Sequence, residues 1–189
     1  TQQSQSIIGT SLLIKLVEEY GISPTVMLAQ AGINPELLSQ PKAKITYEQD
    51  AAFVSAMLTE IDDPEIGYKA GQHFRLNAFG HMGLAAASSS NVEEAIKFFL
   101  KYIQLSYTHF DVCFRKIDDK AVLRFSDLYD MGALKRFYLE RDFSFVLIST
   151  RDMFPRSFES QNFKAINFDF ERPSPSIDYE GLYECSVNF

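Results

Sequence analysis

Histidine and cysteine, which often catalyse reactions or bind metals, are few in this chain, and its histidines are poorly spaced for either task. Its three histidines, His73, His81 and His109, are eight and twenty-eight residues apart, unlike the short spacing of metal ligands. Acidic pairs at 62–63 and 118–119 fall where a helix cap and a turn favour Asp. The sequence has no nucleophile elbow, zinc-protease, dinucleotide-binding or P-loop motif. We therefore predict no enzyme, no metal site and no cofactor.

Other side chains have the chemistry to bind a small molecule. Arg115 and Arg124 fall on one face of a predicted strand pair, where an inward arginine would bind a carboxylate. The alternative is that both arginines are exposed on a solvated sheet face. Tyr102 and Phe114 are candidate walls of such a site. With seventeen Phe and nine Tyr, any cavity is expected to be apolar.

Helix-start signals recur through the first half of the sequence. Each combines a capping residue with a following proline or with Glu or Gln three residues later. They lie at Ser23-Pro24, Asn34-Pro35, Thr46–Gln49, Asp63-Pro64 and Asn91–Glu94. Gly21 and Gly32 are placed to end the first two helices. We predict that residues 1–107 are mainly helical.

The second half changes period, and residues 108–189 are predicted to mix strands with helices. Alternating apolar residues at 110–116 and 121–127 predict a hairpin with its turn at Asp118-Asp119. A long helix over 132–153, a strand within 164–175, a short helix over 177–183 and a final strand follow. The fold class is therefore α+β, with an N-terminal helical layer packed on a small, mainly antiparallel sheet and a long helix after the central hairpin.

Size and composition suit one domain spanning residues 1–189. The net charge of −7 repels a polyanion, so we predict no direct nucleic-acid contact. No apolar run is long enough to span a membrane, and the N-terminus does not resemble a signal peptide. Because the chain lacks an initiator Met and ends in an alternating apolar pattern, we expect one piece of a longer protein. Cys113 and Cys185 are interpreted as reduced, buried thiols, with a single disulfide as the alternative.

The segment 143–148 within the long predicted helix is apolar on every side. Such a helix is buried on two sides, by its own core and by a second subunit, another domain or the sheet. From the first of these alternatives we predict dimerisation through the helix, with Val146 and Leu147 in the interface.

Glycines four or three residues apart, Gly67 with Gly71 and Gly80 with Gly83, are placed to let another element approach closely. After the second pair come a small-residue run to Asn91, then Glu94-Ala95 and an aromatic Tyr102. This ordered pattern resembles the N-terminal, arabinose-binding-like domain of AraC/XylS transcriptional regulators. The resemblance extends to the Leu-x-x-Ala-Gly-Ile core at residues 28–33 and to the aromatic-rich ending at 178–189, so it spans nearly the whole chain.

The resemblance implies a cytoplasmic bacterial regulator whose N-terminal part binds an effector, forms a homodimer, or does both. The aromatic content and the two arginines suggest that such an effector is apolar or carries a carboxylate. DNA would be bound only by a C-terminal helix-turn-helix domain, which is absent from this chain, and no membrane is involved. The family label does not identify the effector as arabinose, because sugars often stack on Trp and this chain has none. The alternative is a freestanding small-molecule-binding or protein-interaction module.

Overall fold

Helices make up most of the chain up to residue 101, and two short strands accompany them. The structure is a computed structural model that describes residues 4–40, 42–103, 107–118, 120–155 and 163–189. The α-helices are α1 Ile8–Glu19, α2 Thr25–Gln30, α3 Tyr47–Glu60, α4 Ile66–His73, α5 His81–Ala87, α6 Val92–Lys101, α7 Lys135–Met153 and α8 Tyr179–Tyr183. Short 3-10 helices lie at Pro35–Ser39, Leu76–Phe79 and Gly132–Leu134.

The strands of the described residues form three separate two-stranded sheets. The strands are β1 Ser4–Ser6, β2 Lys44–Thr46, β3 Phe110–Ile117, β4 Lys120–Asp127, β5 Ala165–Asn167 and β6 Ser186–Asn188. Two of the pairs, β1 with β2 and β3 with β4, are antiparallel, whereas β5 and β6 are parallel. The α+β class and the long helix after the hairpin are thus confirmed, although the predicted sheet is divided into three.

The β3–β4 hairpin has the register that its alternating pattern predicts. Val112 lies opposite Phe125 and Phe114 opposite Leu123, so the apolar residues of both strands share one face. Asp118 adopts a left-handed backbone conformation in the turn, a conformation that Asp tolerates better than most residues. The other predicted turn residue, at position 119, lies outside the described residues. Cys113 on β3 is a free, half-buried thiol, as is Cys185.

Three of the five predicted helix caps are formed by the residues that signalled them, Asn34, Thr46 and Asn91. The prediction was wrong for α2 and α4, where Pro24 and Glu65 occupy the cap positions instead of Ser23 and Asp63. The Thr46 hydroxyl accepts a hydrogen bond from Gln49 N, and the Gln49 side chain accepts one from Thr46 N, which completes the capping box of α3. Asn91 accepts a hydrogen bond from Glu94 N at the start of α6. The Glu94 carboxylate, however, accepts from Ser90 N, one residue earlier than the capping box predicted.

The segment 80–102 contains two glycines with different roles. Gly80 has φ of +56°, which L-residues rarely adopt, and no neighbour lies close to it. Gly83 is in tight backbone contact: a Cβ there would lie 1.8 Å from the Leu76 carbonyl oxygen. Within the pair Gly80 and Gly83, the predicted close approach is therefore confirmed for Gly83 alone. It is made with the preceding 3-10 helix.

Helix α7 crosses the middle of the core, and α4 packs along it through Gly67 and Gly71. A Cβ on Gly71 would lie 2.4 Å from Arg141 O and 2.5 Å from Ser144 Cβ, and one on Gly67 would lie 2.7 Å from Glu140 Cβ. The two helices are thus in contact at backbone level, as this glycine pair predicts. One contiguous core surrounds α7 and contains residues from both halves of the chain.

Arg141, on α7, is a charged side chain that is completely buried. Its guanidinium donates to Asp142 Oδ1 at 2.8 Å and to the carbonyl oxygen of Tyr107 at 3.3 Å. The cation also lies 4.9 to 5.4 Å from the ring centroids of Phe74, Tyr107 and Tyr138. Ion pairing and aromatic faces together compensate the loss of hydration that burial imposes on this charge.

Glu140 precedes Arg141 and fixes the C-terminal segment to α7. Tyr179 donates to Glu140 Oε1 at 2.5 Å, Arg136 donates to the same oxygen at 2.8 Å, and Tyr183 donates to the Glu140 carbonyl at 3.1 Å. Burial raises the pKa of the Glu140 carboxyl, although the hydrogen bonds from Tyr179 and Arg136 oppose that shift. Helix α8 is therefore tied to α7 by both a side chain and the backbone.

Asp50, on α3, is a buried carboxylate that joins four parts of the fold. Its oxygens accept hydrogen bonds from Thr10 at 3.1 Å and from Tyr138 at 2.9 Å, and His109 Nε2 lies 3.1 Å away. His109 Nδ1 in turn lies 2.5 Å from the Tyr129 hydroxyl. Burial by itself would raise the pKa of Asp50, but the hydrogen bond and charge of His109, with the bond from Tyr138, lower it overall.

Finally, none of the helices within the described ranges is both long and apolar enough to cross a lipid bilayer.

The contact of α4 with α7 generates a first prediction. In Gly71→Ala the added Cβ would clash with the Arg141 carbonyl and with Ser144, which forces α4 away from α7. We expect this substitution to lower the free energy of unfolding by about 2 kcal/mol. Urea denaturation followed by circular dichroism measures the change. Gln72→Ala, on the exposed side of the same helix, is the control and should change stability by no more than about 0.5 kcal/mol. Equal stability of G71A and wild type would contradict the close packing.

The Asp50 network generates a second prediction, on pH dependence. A carboxyl whose pKa is lowered by folding stabilises the folded state above its unfolded pKa of about 4, and this contribution is lost as the pH falls through the folded value. At pH 7 we expect Asp50→Asn to lower the free energy of unfolding by about 3 kcal/mol, because it leaves buried partners uncompensated.

The difference between D50N and wild type should shrink as the pH is lowered below about 4, which urea denaturation at a series of pH values will show. Asp62→Asn, on an exposed side chain, serves as the control and should show no comparable loss. A difference that stays constant down to pH 2.5 would be inconsistent with an ionised Asp50 in the folded state.

Candidate ligand-binding cavity

An apolar cavity lies between α5 and α6 on one side, the hairpin on another and α7 at its floor. The empty space in it, together with the adjoining solvent at its mouth, is about 710 Å³. The second 3-10 helix contributes Leu76 and Phe79, and α5 contributes Ala86. Helix α6 contributes Ala95, Ile96, Phe99 and Leu100, and Ile103 follows it. Helix α7 contributes Asp142, Phe145, Val146, Ser149, Thr150 and Met153. The remainder of the wall is Tyr107, Thr108, Val112, Leu123 and Phe125. An apolar lining with a few polar groups is typical of small-molecule sites.

The amphipathic pattern of α6 explains why a cavity lies beneath it. Its apolar residues recur every three or four positions, the spacing of a stripe that faces a core. Yet only Ala95 is fully buried, while Ile96, Phe99 and Leu100 remain partly exposed. The stripe therefore faces the cavity, and the space below α6 is not filled by side chains of the described residues.

The apolar face of the hairpin forms the opposite wall. Val112, Leu123 and Phe125 line the cavity, and each is only half-buried. The Phe125 ring packs edge-on against Phe143 of α7, with the ring centroids 4.8 Å apart, which fixes the hairpin to the floor. The strand alternation thus directs one apolar face toward the cavity and leaves the other to solvent.

Two hydroxyl groups of the cavity wall are buried without a hydrogen-bond partner among the described residues: Tyr107 Oη and Ser149 Oγ. Each residue is only 5% exposed. Burial raises the pKa of the Tyr107 phenol well above its ordinary value, so the group stays neutral. A buried hydroxyl without a partner destabilises the folded state, and most such groups in proteins are satisfied. Both hydroxyls therefore lack the hydrogen bond that would offset their burial.

The one acidic side chain in the described lining already has a hydrogen-bond partner on each oxygen. Asp142 Oδ1 accepts a hydrogen bond from Arg141 at 2.8 Å, and Oδ2 accepts one from Thr108 at 2.7 Å. Arg141 itself lies behind the wall, and the described lining residues include no Lys or Arg. The wall is consequently close to neutral.

Comparison with known proteins shows to which family this chain belongs. The sequence model of the arabinose-binding domain found at the N-terminus of AraC transcription regulators matches residues 21–189. This chain belongs to that family.

Curated relatives of this AraC-type domain include an ornithine utilization regulator of Pseudomonas aeruginosa, 29% identical over 128 residues, which are 68% of this chain and 38% of the relative. An HTH-type transcriptional regulator of Mycobacterium bovis is 25% identical over 145 residues, 76% of this chain and 42% of the relative. A regulator of the same description from Mycobacterium tuberculosis matches equally. The matched region thus spans about two fifths of these relatives.

Among solved structures, the transcriptional regulator CdpR from Pseudomonas aeruginosa has a similar fold. The match has a TM-score of 0.52 and 21% sequence identity, and it covers 88% of this chain and 50% of that one. At this identity the similarity shows a shared fold only.

The four residues predicted to bind a ligand lie outside the described lining of the cavity in this AraC-type domain. Arg115 and Arg124 are exposed on the outer face of the hairpin, the alternative that the sequence left open. Tyr102 ends α6 and packs on Phe98, while the Phe114 ring lies 5.9 Å from the Lys97 ammonium. Their role in binding stays a prediction, and the cavity itself does not support it.

The two residues predicted for dimerisation both contact the domain's own interior. Leu147 is 1% exposed within the core, and Val146 is half-buried at the cavity floor. Most of the apolar segment 143–148 is therefore buried within the domain itself, although Val146 faces the cavity. Dimerisation stays a prediction, and this packing argues against these two side chains as its surface.

Sequence reasoning missed Tyr107 and Ser149. Ser149 lies one helical turn after Phe145 and one before Met153, so a small polar residue interrupts an apolar stripe of α7. That interruption was a usable signal. Tyr107 lies between α6 and β3, where neither helical nor strand periodicity indicates the direction of a side chain.

The unpartnered hydroxyl of Tyr107 generates a third prediction. Tyr107→Phe removes a buried group that has no partner, so we expect it to raise the free energy of unfolding by about 1 kcal/mol in the absence of ligand. Tyr138→Phe is the matched control: its hydroxyl donates to Asp50, and its loss should lower stability by about 2 kcal/mol. Urea denaturation of both variants measures these values. A destabilisation of Y107F equal to that of Y138F would show that the Tyr107 hydroxyl has a partner.

Proposed function

We propose that this chain is the effector-sensing domain of an AraC-type transcription regulator, and that the effector binds in the cavity between α6, the hairpin and α7. The observation that carries the proposal is the cavity itself: an apolar space lined by three structural elements, with two buried hydroxyls that lack partners. Membership of the family supports a regulatory role for that space.

In this proposal the chain regulates transcription without contacting DNA. Its net charge of −7 disfavours a polyanion, and the curated regulators that it matches are more than twice as long as the matched region. A C-terminal helix-turn-helix domain would supply the DNA contacts. The regulator would act in the cytoplasm as a homodimer, with residues 1–189 as one regulatory domain, which is supported by the single core shared between the two halves.

Helix α7 is the route by which binding would be transmitted. Phe145, Val146 and Ser149 of α7 line the cavity. Glu140 of the same helix holds α8 through Tyr179, and Arg151 pairs with Glu184 at 2.7 Å. A ligand that contacts α6 and α7 together would shift or stiffen α7 and with it the C-terminal segment. An effector acts only through such a difference in affinity between two arrangements of the domain.

A pair of neighbouring alanines allows a sharp test of the site. Ala86 lines the cavity, whereas Ala87 is exposed on the same helix. A thermal-shift screen of bacterial metabolites against the wild-type domain should find compounds that raise its melting temperature. We expect Ala86→Leu, which fills part of the cavity, to reduce that shift at least by half and Ala87→Leu to leave it unchanged.

The melting temperature of each variant without ligand is the reference for its own shift, so a stability change by the substitution itself does not enter the comparison. Stabilisation of A86L by the same compounds to the same extent as wild type would place the effector outside this cavity.

A further inference from the structure

We infer that the effector is an uncharged, mainly apolar molecule with a hydrogen-bonding group that is recognised by Tyr107 Oη and Ser149 Oγ. This inference rests on the proposed function and specifies the chemistry of its ligand. Its starting point is that both hydroxyls are buried in the wall of the cavity and have no partner among the described residues.

The two hydroxyls restrict the ligand because each requires a hydrogen bond to offset its burial. A hydroxyl both donates and accepts, so a ligand hydroxyl, carbonyl or amide satisfies it. A purely apolar ligand would exclude water and leave both groups unsatisfied, which lowers its affinity. A site built to hydrogen-bond a ligand discriminates strongly against the analogue that lacks the polar group.

The charges of the described lining disfavour an ionised ligand. An anion would lie against the Asp142 carboxylate with no Lys or Arg in the described lining to compensate it. A cation would find only Asp142, whose charge is already compensated by Arg141 and whose oxygens already accept from Arg141 and Thr108. Desolvation of either ion would therefore be uncompensated.

The rest of the wall favours an apolar, flat body. Phe79, Phe99 and Phe145 lie in mutual contact around the cavity, with ring centroids 5.0 to 5.6 Å apart. The Tyr107 ring lies 4.9 Å from that of Phe79, so the aromatic surface continues up to the unpartnered hydroxyl. Ring faces and edges of this kind bind aromatic or alicyclic groups.

Four probes with one bicyclic body test the inference: 2-naphthol, naphthalene, 2-naphthoate and 2-naphthylmethylammonium at pH 7. Because the chain has no Trp, naphthyl fluorescence can be followed during titration without indole background. We expect 2-naphthol to bind wild type more tightly than naphthalene, and at least tenfold more tightly than either ion. Tyr107→Phe and Ser149→Ala should each weaken 2-naphthol binding about fivefold, the factor for one neutral hydrogen bond, and leave naphthalene binding unchanged.

Tyr20→Phe, a tyrosine outside the cavity, is the control and should alter neither affinity. The inference is overturned if 2-naphthoate binds as tightly as 2-naphthol, or if Y107F and S149A leave the ratio of 2-naphthol to naphthalene affinity unchanged. Failure of all four probes to bind would also overturn it, whereas the proposed function is decided separately by the comparison of A86L with A87L.

Discussion

Three charged side chains in succession, Glu140, Arg141 and Asp142, lie inside the core on α7, and each must find its partners there. A buried ion without a partner destabilises a fold by several kcal/mol, roughly half of a typical domain's stability. The partners come from well-separated parts of the chain: Tyr179 binds Glu140, Tyr107 O accepts from Arg141, and Thr108 donates to Asp142. The positions of α8 and of the segment before β3 are therefore set by the charges of one helix.

The same constraint explains why the cavity is where it is. Arg141 and Asp142 hold the backbone at Tyr107 and Thr108, which begins the hairpin, and so fix the height of the hairpin above α7. On the opposite side, α4 is pressed against α7 through glycines and leaves no space. The side chains of α6 and of the apolar hairpin face do not fill the remaining volume. The cavity beside α7 is thus a consequence of the contacts that position the elements around this helix.

Local signals predicted much of the fold, because caps and periodicity act over a few residues. Thr46 with Gln49, the pair Gly67 and Gly71 and the hairpin register all follow from the sequence alone. The site was harder to predict, since it depends on which elements meet. The apolar face of the hairpin was assigned correctly, and it lines the cavity. Arg115 and Arg124, which were predicted to bind a ligand, are exposed on the opposite face of the hairpin. Tyr107 acquires its role only when α7 lies beside it, a long-range contact that no local pattern encodes.

The open mouth of the cavity has a kinetic consequence. A ligand in a fully enclosed cavity dissociates only when the protein unfolds locally, so its residence time is long compared with changes in ligand concentration. A ligand in an open cavity exchanges without local unfolding, so the occupancy of the cavity follows the concentration of free ligand. An effector bound in the proposed cavity would thus exchange without unfolding of the domain, and its occupancy would follow its present concentration.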